Sequence, residues 1–166
     1  CIRDRGRNES EGTIDHGTAR AIVTGKSSTG GIAGYNLGAI TGCTNVGSIN
    51  TEYPEASLDT DGFTAKMVDY INNKMAAADN DATNSVTNVA TDTGGIAGRS
   101  SGMILTSVNT GTIGYEHVGY NVGGIVGRTD GLVSGCVNQG RVLGRKDVGG
   151  IAGQAEPYRE LDLSKD

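Results

Sequence analysis

The chain has 166 residues, 28 of them glycine, with two prolines, one phenylalanine, no tryptophan and a formal net charge of −5. That charge excludes the basic footprint of a nucleic-acid or anionic-membrane binder, and no apolar run approaches the roughly 18 residues of a membrane span, so neither nucleic acid nor membrane insertion is expected. Glycine without a three-residue period or abundant proline excludes collagen, and the scarcity of aromatics leaves Ile, Val and Ala to build any core.

Taken in chain order, the first elements are degenerate. "GTI" at residues 12–14 resembles the later "GSI" at 47–49, and "AIVTG" at 21–25 reads as a short strand. A clear pattern starts at Gly30 with "GGIAGYNLGAITGCTNVGSI". Its aliphatic anchors Ile32, Ile40 and Ile49 are 8 and 9 residues apart. Residues 51–93 then interrupt the pattern. Within them Phe63, Met67, Ile71, Met75 and Ala78 recur at helical spacing, which predicts an inserted α-helix near 63–79. "DTDG" at 59–62 lacks an EF-hand series, because the twelfth position of such a loop is Tyr70, and reads as a turn and helix start.

The pattern returns at Gly94, Gly123 and Gly149. Ile96, Ile104 and Ile113 repeat the earlier spacing, as do Ile125, Val133 and Val142, and the uninterrupted period from Gly123 to Gly149 is 26 residues. Internal repeats of that length predict a solenoid, and Ile/Val anchors in segments too short for helices predict strands. The expected fold is an all-β parallel β-helix solenoid, three short strands per coil, right-handed by the usual crossover rule, with the one inserted helix. Residues 1–166 are read as a single β-helix domain excised from a longer chain. Glycines are expected to turn the chain at corners by accepting positive φ. Asn45, Asn109 and Asn138 fall at equivalent positions, as do Cys43, Ser107 and Cys136, and a stacked Asn ladder is expected to bond to itself and to turn backbone.

The motif G-G-I-[AV]-G, then G-x-[IV], then C-x-N-x-G-x-[IV], resembles the GLUG-type repeat of large surface and secreted bacterial proteins, over residues 30–49 and 94–156. The resemblance implies a structural or adhesive segment, extracellular or attached to a cell surface. It carries over no catalytic residue.

The residues themselves offer little chemistry. His16 and His117 have no spacing that pairs them as metal ligands, no Ser/His/Asp or Cys/His arrangement can be assembled, and no phosphate-binding glycine loop occurs. No catalytic residue, metal or cofactor is therefore assigned. Cys43 and Cys136 lie two coils apart, about 10 Å at the usual strand spacing, so they are expected to be buried and unlinked. The candidate ligand contacts are the residues that follow each G-G-I-[AV]-G, namely Tyr35, Arg99 and Arg128 with Gln154, and Tyr53 and Tyr70 in the insertion. The partner they suit is a host glycan or an extracellular protein. Two other functions compete with an adhesive module: a carbohydrate-active β-helix enzyme, and an accessory segment of a secreted protease.

Overall fold

The computed structural model describes residues 6–52 and 90–156. The chain divides into two compact units, and the described residues all belong to the first, Cys1–Glu52 with Val89–Asp166. The helix expected near 63–79 lies outside the described residues.

The first turn carries β1 (Arg7–Asn8), β2 (Thr13–Asp15) and β3 (Thr18–Ala19). The second has β4 (Ser27–Gly30), β5 (Ala33–Asn36), β6 (Ala39–Thr41) and β7 (Thr44–Asn45). The third has β8 (Thr91–Gly94), β9 (Ala97–Ser100), β10 (Met103–Leu105) and β11 (Val108–Asn109). The fourth has β12 (Tyr120–Gly123), β13 (Val126–Thr129), β14 (Leu132–Ser134) and β15 (Val137–Asn138), and β16 (Lys146–Gly149) with β17 (Ala152–Ala155) opens a fifth. Like strands pair in parallel into four sheets, ordered β1-β5-β9-β13-β17, β2-β6-β10-β14, β3-β7-β11-β15 and β4-β8-β12-β16. The protein is a parallel β-helix.

Each full coil divides more finely than the three anchors suggest, into four strands and an isolated bridge. The bridges run Val23–Ile49–Ile113–Val142. Ile40 pairs with Ile104 and Ile104 with Val133, as the spacing implied. Ile32, Ile96, Ile125 and Ile151 stand at a corner rather than in a strand, joined along the stack by N–H donation from each to the carbonyl of the next. Ile40, Ile49, Ile96, Ile104, Ile113 and Ile125 are completely buried, so one aliphatic side chain per position fills a narrow interior.

Although "GTI" at 12–14 resembles "GSI" at 47–49, β2 pairs with β6 and sets Ile14 beside Ile40, while Val23 stands beside Ile49. Two expectations need correction. The insertion is shorter than 51–93, because Thr91–Gly94 is the regular strand β8, in register with Ser27–Gly30 through Ser27–Thr91 and Gly30–Gly94. And the G-G-I-[AV]-G glycines do not sit at positive φ. Positive φ falls elsewhere among the described residues, in the columns Ser28, Asp92, Asn121 and Asp147, His16, Gly42, Thr106 and Gly135, and Asn50 and Gly114, and at His117 and Gly119.

What the motif glycines supply is room. A Cβ on Gly30 would lie 2.7 Å from the Ala97 Cα, one on Gly31 2.5 Å from the Gly95 oxygen and 2.6 Å from the Asn45 Oδ1, and one on Gly127 2.5 Å from the Asp92 carbonyl carbon, where real Cβ contacts stay beyond 3.0 Å. The β4 and β5 sheets therefore meet backbone to backbone, with no side-chain layer between them.

Candidate functional site

The five-stranded sheet carries the candidate ladder. Strand pairing sets Arg7 beside Tyr35, Tyr35 beside Arg99, Arg99 beside Arg128 and Arg128 beside Gln154. The three residues picked from the sequence thus occupy successive rungs, about 4.8 Å apart in any β-sheet. Tyr53 and Tyr70 lie outside the described residues. Asn36 is completely buried, so its strand neighbour Tyr35 points to the opposite, outer face.

The ladder is ordered by contacts among its members. The Arg7 and Arg99 guanidinium carbons each lie 5.4 Å from the Tyr35 ring centroid, within cation–π range, so the ring is shared by two cations. The Tyr35 hydroxyl is 3.1 Å from the Ser101 Oγ on the next coil. Arg7 also pairs with Glu9 at 3.0 Å. Arg128 donates to the Glu156 carboxylate at 2.8 Å, and Gln154 donates to the other oxygen of the same carboxylate. The hydrogen bond to Glu156 raises the Arg128 pKa above its ordinary value; burial opposes this, and the charges of Glu156, Asp92 and Asp130 add to it. Arg99 has no carboxylate within ion-pair distance among the described residues, and its guanidinium lies over the Tyr35 ring.

Arg7 was missed from the sequence. Its coil has a longer turn, with rung partners 28 apart at Asn8–Asn36 but 26 apart at Gly17–Cys43, and this hides the register.

Behind the ladder the inward residues are polar and satisfied. Asn8 donates to the Asn36 Oδ1 at 2.8 Å, and Asn36 donates to the Ser100 Oγ at 3.0 Å. In the expected Asn column, Asn45 donates to Asn109 at 2.7 Å and Asn109 to Asn138 at 2.8 Å. Each of the three also clamps its own N-x-G corner, donating to the glycine oxygen and accepting from its N–H. These amides are structural parts of the coil.

Cys43 and Cys136 are free thiols, Cys43 buried and Cys136 only partly so. Burial pushes the Cys136 thiol pKa up. His16 rests on Asp15 at 2.8 Å, and His117 lies in the Tyr115–Val118 turn beside Glu116. Among the described residues no group of His, Cys, Asp and Glu is arranged to hold a metal ion.

No family model, no curated protein and no solved structure matches this chain.

Proposed function

We propose that the chain is a non-catalytic structural and adhesive module of a bacterial surface or secreted protein, whose outward ladder contacts a host glycan or an extracellular protein. The observation that carries this reading is the row Arg7–Tyr35–Arg99–Arg128–Gln154, a line of planar hydrogen-bonding and aromatic groups on one sheet. Such side chains suit a ligand recognised by hydrogen bonds along its length, and the backbone contact of the sheets beneath them limits their movement. The GLUG-like motif supports the same reading.

The test is a glycan and extracellular-matrix array. It compares the intact chain, an Arg99→Ala/Arg128→Ala variant and a variant in which residues 53–89 are replaced by a short turn. Binding lost in the Arg variant and kept in the deletion supports the ladder as the contact. Binding lost only in the deletion moves the contact to the insertion with Tyr53 and Tyr70. Turnover of any polysaccharide by the purified chain overturns the non-enzymatic reading.

A further inference from the structure

Each arginine of the outward row is followed, two places on, by a residue on the same side of the sheet. For Arg7 that residue is Glu9 and for Arg128 it is Asp130, both carboxylates, but for Arg99 it is Ser101. Glu9 pairs with Arg7 at 3.0 Å, and Arg128 also takes Glu156 from the next coil at 2.8 Å. Ser101 instead meets the Tyr35 hydroxyl at 3.1 Å. Leu37, the matching residue of the Tyr35 coil, brings no charge either. Among the described residues of this sheet, the middle of the row is therefore where a cation has an uncharged flank.

That cation is held in place. Arg99 and Tyr35 are both half-buried, and the guanidinium carbon lies 5.4 Å from the ring centroid. A guanidinium fixed in this way offers a planar fork that matches a carboxylate and loses little freedom on binding one.

We propose that the Tyr35–Arg99–Ser101 stretch binds a uronate carboxylate of an extended glycan. The inference deepens the adhesive reading above and rests on it. The charges on either side select an isolated carboxylate. Glu9 toward one end, and Asp130 and Glu156 toward the other, repel a chain charged at every sugar, whereas neutral sugars can lie along them and donate hydroxyls. A peptide suits the face less well. β5, β9 and β13 are paired on both sides, so they offer no edge for strand addition. Same-face side chains of an extended peptide also recur about every 6.8 Å, out of step with rungs about 4.8 Å apart.

The test titrates the full chain with three probes. These are hyaluronan oligosaccharides, in which uronate and neutral sugars alternate; the same oligosaccharides with each carboxyl reduced to an alcohol; and oligogalacturonate, in which every sugar is charged. Hyaluronan should bind about tenfold or more tightly than either of the others, because a charge-assisted bidentate contact is gained only there without repulsion at the flanks. Ser101→Asp copies the Arg128–Asp130 arrangement and should weaken hyaluronan binding about tenfold at an unchanged melting temperature. Arg99→Lys keeps the charge without the fork and should weaken it too; it decides the matter should Ser101→Asp unfold the chain. Equal binding of the reduced oligosaccharides, or undiminished binding by either variant, overturns the inference, and so does tighter binding of oligogalacturonate. Binding of neither acidic glycan overturns the inference alone if the array still retains a neutral glycan or a protein on the ladder, and overturns both readings if it retains nothing. Tighter binding of an acidic peptide would make a peptide the occupant.

Discussion

A Cβ on Gly153 would lie 2.5 Å from both the Asn121 carbonyl carbon and the Val122 nitrogen, so the final glycine of the motif is fixed by a neighbouring backbone rather than by its own dihedral angles. The left-handed corners fall to other residues, and one of them is strained. Thr106 has φ 46°, in a column where Gly42 and Gly135 occupy two of the other places. A β-branched residue there costs about 1–2 kcal/mol, against which glycine loses some entropy. Thr106→Gly should therefore stabilise the protein by about 0.5–1 kcal/mol, read as a higher urea midpoint; a lower one would contradict the strain. Packing sets the opposite extreme. Ile125→Ala should cost about 2–5 kcal/mol, because a narrow interior cannot collapse around the lost methyl groups. Arg128→Ala removes an exposed ion pair and should cost under about 1 kcal/mol in the same experiment. Cys136 gives a pH signature. Its folded pKa is raised, so the unfolded state ionises first and stability falls as pH rises through the unfolded thiol value, near 8.5. Urea midpoints at pH 7 and pH 10 should drop further for the wild type than for Cys136→Ser.

At the scale of the element, side-chain ladders fix the stacking that backbone pairing alone would leave free to slip. Asn109 accepts from Asn45, donates to Asn138 and closes its own corner at Gly111. Asn109→Ala leaves one Asn45 amide hydrogen and the Gly111 N–H, both buried, without an acceptor, at about 1–3 kcal/mol for each such group. The loss should exceed that of Asn138→Ala at the end of the ladder, and calorimetry on the two variants checks the order. This column was legible in the sequence because Asn recurs in a constant C/S-x-N-x-G setting. The second buried ladder was not, because its places are taken by Asn8, Asn36, Ser100 and Thr129, four residues that share hydrogen-bonding ability but no letter pattern. The outward ladder was half legible. Tyr35, Arg99, Arg128 and Gln154 follow a fixed motif, whereas Arg7 stands in a coil whose longer turn shifts its numbering. The fourfold division of each coil was hidden because aliphatic anchors mark where side chains point inward and say nothing of where backbone hydrogen bonds break.

At the scale of the repeat body, the third and fourth coils are neighbours in sequence as well as in space, with rung partners 29 residues apart, while the second and third coils are 64 apart. That difference bears on the order of assembly. Closing the longer loop costs about 0.7 kcal/mol more in chain entropy on the usual logarithmic scaling. The seam between the second and third coils thus closes the longest loop, while the seams before and after it bring together coils adjacent in sequence. The β-helix is accordingly two locally closing halves, an N-terminal pair of coils and a C-terminal set, and joining them across the insertion is the costliest closure in its assembly.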